Sequence, residues 1–172
     1  LGALLHPAPH RALVIGLGTG STSGWLGQVP SIKRVDTVEL EPAVVAVAER
    51  CSTANFNVLR DPKQRILIGD GREYLLTTRD TYDLICSEPS NPYRAGVASL
   101  FTREFYGAAA SRLSRGGLFL QWIQAYDTNF ETLEIVYSTI RSVFSDVETW
   151  TTLEGDLLLV ASQEPIVADV GT

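Results

Sequence analysis

The stretch Ala12-Leu13-Val14-Ile15-Gly16-Leu17-Gly18-Thr19-Gly20-Ser21 decides the fold. The apolar run through Leu17 has the length of a buried strand, and the glycines that end it let the chain turn sharply into a helix from about Thr22. A strand feeding a helix through such a turn is the opening unit of a parallel sheet wrapped by helices, and ligand atoms can approach the backbone where the helix begins. The spacing is GxGxG, with Ser21 where the third glycine of GxGxxG would stand, which points away from a dinucleotide and toward a nucleoside without pyrophosphate. Taken alone, the turn leaves a second reading open, an empty joint between strand and helix.

Outward from this turn, short apolar runs alternate with helical patterns. Strands are expected over Ala12–Leu17, Arg34–Leu40, Arg65–Gly69, Tyr82–Ser87, Leu118–Ile123, Val147–Thr152 and Leu157–Ala161. Helices fall between them: one from about Thr22, one opened by Pro42, one after Asp70, then Leu100–Leu113 and Asn129–Phe144. In the last of these, Thr128 and Glu131 have capping-box spacing, and Phe130, Leu133, Tyr137, Ile140 and Phe144 form an apolar stripe. Only Leu153-Glu154-Gly155-Asp156 separates the final two strands, too short for a crossover helix, so those strands pair antiparallel. The expected fold is therefore α/β, a Rossmann-like seven-stranded sheet, mostly parallel with an antiparallel last strand and helices on both faces. By analogy, this arrangement resembles the plan of the class I methyltransferase fold.

Composition sets the outer limits. The chain has 172 residues with 45% hydrophobic and 20% charged, the size and composition of one globular domain. Its 14 Lys+Arg against 20 Asp+Glu give a formal charge of -6, so the basic face that a nucleic-acid backbone demands is not expected, and a cationic small molecule suits the chain better. No apolar run approaches the ~20 residues of a membrane span. Cys51 and Cys86 form no CxxC or Cys/His cluster, so neither zinc nor any other metal is expected, and Cys86 reads as a small buried hydrophobe. The chain opens on Leu1 and contains no Met, which suggests a segment of a longer protein.

Ligands of an open parallel sheet bind beyond the carboxyl ends of its strands. Glu39, about twenty residues past the glycine turn, stands where an acid can accept both hydroxyls of a ribose, or where it is simply solvated. Glu41, just before Pro42, favours the start of the next helix. Asp70 and Glu73 have N-cap spacing, so Asp70 is either a ligand contact or a structural cap. The fourth strand runs into Ser87-Glu88-Pro89-Ser90-Asn91-Pro92-Tyr93, which puts a carboxylate on a proline-held loop beside the same edge. The alternative is a stiff loop with one solvated Glu. Phe101, Phe105 and Tyr106 follow helical spacing and read as core.

Several of these segments together resemble the spermidine synthase family of polyamine aminopropyltransferases. They are His6-Pro7-Ala8-Pro9 leading into Val14–Gly20, Val38-Glu39-Leu40-Glu41-Pro42, Gly69-Asp70-Gly71-Arg72 and Tyr82-Asp83-Leu84-Ile85 with its loop. The most specific are Leu100-Phe101-Thr102-Arg103-Glu104-Phe105-Tyr106 and Leu113-Ser114-Arg115-Gly116-Gly117-Leu118-Phe119-Leu120-Gln121. The resemblance implies transfer of an aminopropyl group from decarboxylated S-adenosylmethionine to a polyamine amine, without a metal. It implies that Gly16, Gly18, Thr19 and Gly20 bind the donor, Glu39 holds its ribose, Asp70 and Gly71 read its adenine, and Gln121 with Tyr93 borders the amine pocket. Glu88 and Asn91 take the positions of two family aspartates that bind the amines and help deprotonate the nucleophile.

The departures from the family pattern are specific. Thr19 stands where the family usually carries an aspartate, Glu88 is one methylene longer than its counterpart, and Asn91 is neutral. The β-hairpin region that precedes this domain in the family is missing from the chain. The Ser-Glu-Pro-Ser-Asn-Pro loop looks like that of bacterial synthase-like domains fused behind multi-span membrane regions. A cytoplasmic domain is expected, and a homo-oligomer is left open. Two other functions stay open at this point: a methyltransferase using S-adenosylmethionine itself, and a nucleoside-binding or scaffolding domain with little turnover.

Overall fold

The computed structural model describes residues 1–89, 96–124, 128–152 and 155–167. Seven strands, β1 (Arg11–Ile15), β2 (Arg34–Glu39), β3 (Gln64–Ile68), β4 (Tyr82–Ser87), β5 (Leu113–Ile123), β6 (Asp146–Thr151) and β7 (Leu157–Ser162), form one sheet in the order β3-β2-β1-β4-β5-β7-β6. The first five run parallel, and β7 lies antiparallel to both β5 and β6. Strand order reverses between β1 and β4, which in an open parallel sheet creates the crevice for a ligand.

Six helices, α1 (Gly2–Leu5), α2 (Ser21–Gln28), α3 (Val44–Arg50), α4 (Gly71–Thr77), α5 (Arg103–Arg112) and α6 (Phe130–Arg141), and one 3-10 turn (Val97–Phe101) accompany the strands among the described residues. Alternate strand residues feed opposite cores, as a period of two requires. Leu13 and Ile15 of β1 join Leu75 of α4, Phe105 and Tyr106 of α5 and Ile140 of α6, whereas Ala12 and Val14 join Leu26 of α2 on the other face. A smaller cluster, Leu17, Ala48 and Val58, fastens α3 beneath the glycine turn. Cys86 is buried, and its thiol is pushed up to about 12 by that burial. No helix among the described residues is long and apolar enough to cross a membrane.

Several local expectations are corrected. The fifth helix does not begin at Leu100: Thr102 Oγ1 accepts the Phe105 N–H at 3.2 Å, so the helix starts at Arg103 and the residues before it form the 3-10 turn. Strand β5 begins at Leu113 rather than Leu118, its register with β4 jumping between Leu113 and Leu118, where Gly116 turns at φ +72°. In the sixth helix the cap is Asn129, whose Oδ1 accepts the Thr132 N–H at 2.8 Å, while Thr128 Oγ1 donates to the Gln124 carbonyl. Phe130 is 75% exposed and falls out of the expected stripe, whereas Ile140 and Phe144 are buried, Leu133 and Tyr137 pack against the same core, and Val136 joins them. The helix after Pro42 starts at Val44, because Pro42 and Ala43 belong to a turn.

Candidate active site

The parallel register brings one residue from each of five strands to a common level at the carboxyl edge. Leu67 of β3 pairs with Val38 of β2, Val38 with Ile15 of β1, Ile15 with Ser87 of β4, and Ser87 with Gln121 of β5; Glu39 follows one residue beyond that row, paired with Ile68. Neighbouring strands lie about 4.8 Å apart, so the row from β3 to β4 spans about 14 Å, the length of a nucleoside with a short side arm.

The three glycines of the turn are glycine for different reasons. Gly16 turns at φ +100°, a conformation that strains any larger residue, and a Cβ there would also sit tightly, 3.3 Å from the Glu88 carbonyl oxygen. Gly18 turns at φ +52° with open space where a Cβ would project. Gly20, at φ +81°, has Asn55 and Val58 packed against it. Thr19 is exposed, and its hydroxyl meets that of Ser21 at 2.9 Å.

Glu39 is almost completely buried, with one carboxylate oxygen accepting the Leu17 N–H at 2.8 Å and the other the Glu41 N–H at 2.9 Å. Each carboxylate oxygen can accept a second bond, so this acid is held rigidly and keeps capacity for hydroxyl donors. Asp70 is the N-cap of α4: its Oδ1 accepts the Arg72 N–H at 2.7 Å and the Glu73 N–H at 3.4 Å. The cap uses that one oxygen, so cap and ligand contact are compatible. Gly71 is set by packing, since a Cβ would approach Ile15 Cγ2 to 2.6 Å.

Glu88 follows β4, and its N–H donates to the Ile15 carbonyl at 3.1 Å. Its carboxylate accepts the Thr22 hydroxyl from the first turn of α2 at 2.6 Å. The side chain retains accessible surface, yet crowding by surrounding chain pushes its carboxyl above the ordinary range, with the Thr22 bond pulling the other way. Beside it opens a cavity of about 700 Å³ between α1, α2 and the sheet, floored by Leu84, Cys86, Leu120 and Leu158. Gln121 is fully buried; its Nε2 lies 3.3 Å from Ser87 Oγ, and its Oε1 has no partner among the described residues. That orphaned acceptor suits an amine N–H. Asn91 and Tyr93 lie outside the described residues.

The structure thus brings the glycine turn, Glu39, Asp70, Gly71, Glu88 and Gln121 to one edge. Sequence reasoning missed Thr22, Ser87 and Asn55. Thr22 carried no signal beyond its place in the first helical turn, and Ser87 none beyond its place at a strand end. Among the described residues no ion pair involves Glu39, Asp70 or Glu88, and no group of three or more His, Cys, Asp or Glu could hold a metal.

Known proteins with this arrangement bear out the resemblance. The spermine/spermidine synthase domain matches residues 1–153. The polyamine aminopropyltransferase of Desulforudis audaxviator is 28% identical over 145 residues, covering 84% of this chain and 52% of that protein. That of Clostridium perfringens is 33% identical over 115 residues, 67% of this chain and 40% of that protein. This chain therefore spans about half the length of the curated relatives it matches. A spermidine synthase solved with the transition-state analogue AdoDATO superposes with a TM-score of 0.86 at 25% identity, over 97% of this chain and 59% of that one. Human methyltransferase-like protein 13, at 23% identity and a TM-score of 0.76 over 96% of this chain and 77% of that one, shares the fold. The match over residues 1–153, most of the chain, shows that the chain belongs to the spermine/spermidine synthase domain family.

Proposed function

We propose that this chain binds decarboxylated S-adenosylmethionine along the carboxyl edge of the sheet and transfers its aminopropyl group to an amine. The observation that carries this reading is the set of three carboxylates, Glu39, Asp70 and Glu88, held by N–H and hydroxyl donors and unpaired with any cation among the described residues. Such an edge keeps its negative charge for a cationic ligand. The AdoDATO complex of a similar spermidine synthase supports a donor of this type.

Glu39 accepts the ribose hydroxyls, Asp70 and Gly71 meet the adenine, and the turn from Gly16 to Gly20 lies under the sulfonium. An alkylamine has a pKa near ~10 and cannot attack carbon while protonated, so a base is needed. Glu88 accepts the proton that the amine gives up as its nitrogen bonds the aminopropyl carbon. The carbon–sulfur bond breaks with its electron pair on sulfur, releasing 5'-methylthioadenosine. Gln121 Oε1 orients the amine, with Asn91 and Tyr93 assigned to the same pocket by the family resemblance. A polyamine is the proposed acceptor.

Thr19 sharpens the test. Where the family has an aspartate, a neutral and exposed Thr19 neither attracts the bare ammonium of the decarboxylated donor nor repels the carboxylate of S-adenosylmethionine. Competition binding with both donors, alongside product analysis with a panel of amines, is the experiment. The decarboxylated donor should bind tighter, and Thr19→Asp should widen the gap. Tighter binding of S-adenosylmethionine by both proteins would overturn aminopropyl transfer in favour of methyl transfer; binding without turnover of any amine would leave a nucleoside-binding domain.

A further inference from the structure

Asn55 lies between α3 and β3, outside every motif the sequence reading used, and it is completely buried. Its Nδ2 donates to the Thr19 carbonyl in the glycine turn at 2.8 Å and to the Ala48 carbonyl in α3 at 2.7 Å, and its Oδ1 accepts the Val58 N–H at 3.2 Å. Both amide hydrogens are thereby used. The chain around the turn is cut to fit this residue. A Cβ on Gly20 would stand 2.9 Å from Asn55 Nδ2, and one on Gly24 would stand 2.1 Å from the Asn55 backbone oxygen. Phe56 and Asn57 follow at φ +56° and +53°, left-handed conformations that side chains other than glycine adopt at a cost. They turn the chain so that the Val58 N–H meets the Asn55 side chain.

The outer side of the turn has no comparable support. Gly18 and Thr19 are exposed, and nothing lies within 4 Å of where a Gly18 Cβ would project. Among the described residues two side chains grip the turn from beneath, Glu39 at the Leu17 N–H and Asn55 at the Thr19 carbonyl, while the Val38 carbonyl holds the Gly16 N–H where the turn begins. We infer that Asn55 is a positioning residue for the nucleoside site, setting the backbone from Gly18 to Gly20 at the height where Glu39 and Glu88 can act on the same ligand. This rests on the nucleoside reading above, because it assigns the held backbone a ligand to meet.

The bond to Ala48 also closes a helix carbonyl, so loss of stability alone would not distinguish positioning from packing. The test compares Asn55→Ala with Ile140→Ala, a core truncation on the opposite face, at a temperature where both remain folded. Titration with 5'-methylthioadenosine should show binding weakened about ten- to a hundredfold in Asn55→Ala, the worth of one or two hydrogen bonds, and within about twofold of the parent in the control. Steady-state turnover should show the loss mainly in KM for the donor. Hydrogen exchange at the Gly20 and Gly24 amides, which bond to the Leu17 and Gly20 carbonyls, should quicken in Asn55→Ala beyond the control. Asn55→Ser, which keeps one donor, should recover part of the affinity and serves if the alanine variant does not fold. A parent that binds no nucleoside overturns the proposed function. A parent that binds, with Asn55→Ala or Asn55→Ser matching the control in affinity and exchange, overturns the assignment of Asn55 alone.

Discussion

At the amino-terminal side of the sheet, Asp36 of β2 is completely buried and receives the Arg34 Nε at 2.8 Å and the Tyr82 hydroxyl at 2.8 Å, and that tyrosine is itself bonded to Tyr74 at 2.7 Å. Arg11 and Arg34 both reach Asp80, at 3.0 and 3.4 Å, and Asp83 takes the His10 and Arg11 N–H groups and the Ser114 hydroxyl. At the carboxyl side, Glu39, Asp70 and Glu88 receive backbone N–H groups or a hydroxyl, and no cation among the described residues. The same residue types serve opposite ends. Asp36 and Asp80, met by guanidinium groups, spend their charge on holding strands together, and Asp83 is filled by three donors; at the carboxyl edge fewer dipoles hold the acids, and their negative charge stays available to a ligand.

The comparison breaks most visibly at Glu88. Glu88→Gln keeps the Thr22 contact and the shape but cannot accept a proton, so turnover should fall by about 10² to 10⁴ with 5'-methylthioadenosine affinity little changed. In the parent, turnover should rise with pH along a limb displaced above the ordinary carboxylate range, because crowding raises the Glu88 pKa. The raised value also means that ionising Glu88 opposes folding as pH rises through it, so the glutamine variant should melt no lower than the parent at pH 7. A variant as active as the parent would remove Glu88 as the base.

Next in size is Glu39→Ala, which takes away the proposed ribose acceptor and the anchor of the Leu17 N–H together. Calorimetry should register a loss of about 2 to 4 kcal/mol in nucleoside affinity. Unchanged affinity would dissociate the carboxyl edge from nucleoside binding.

The opposite edge should answer in stability alone. Asp36→Ala leaves the Arg34 guanidinium and the Tyr82 hydroxyl each short of a partner, at an expected cost of about 2 kcal/mol in chemical denaturation, with nucleoside affinity unaltered. The cost stays below that of a fully buried pair because Arg34 is about one-third exposed.

The smallest effect expected is on acid sensitivity. Crowding works to raise the Asp83 pKa, but the Ser114 hydroxyl and the His10 and Arg11 N–H groups outweigh it and hold the value low. A folded value below the unfolded one stabilises the protein above the ordinary carboxylate range, and that contribution is lost as pH falls through the depressed value. Asp83→Asn should therefore flatten the melting temperature against pH below about pH 4. An unchanged slope would show that Asp83 contributes nothing to acid stability.

Much of the scaffold was legible because it rests on local periodicity. The run Tyr82–Ser87 is strand β4 to the residue, and the short link after Thr152 was enough to require antiparallel pairing. The start of α5 and the cap of α6 escape the sequence because one side chain decides each, Thr102 and Asn129, through single cap bonds that a neighbouring residue could equally have made. The fifth strand was read short because Ser114-Arg115-Gly116-Gly117 looks like a plain turn, while pairing of Leu113 with Tyr82 carries the strand past it.

The sequence by itself determined the order of strands and helices, the glycine turn, and an acid at each of three strand ends, since those follow from spacing along the chain. Only the tertiary structure decided why particular residues stand there. Gly20 is a glycine because Asn55, remote in sequence, occupies the space beside it, and Gly71 because Ile15 does. Glu39 is rigid because its partners come from the turn and from the following residues, and burial raises the Glu88 carboxyl above the ordinary range against the pull of the Thr22 hydroxyl from α2. Contact between residues far apart in the chain leaves no periodic trace, so its consequences appear only once the sheet has brought them together.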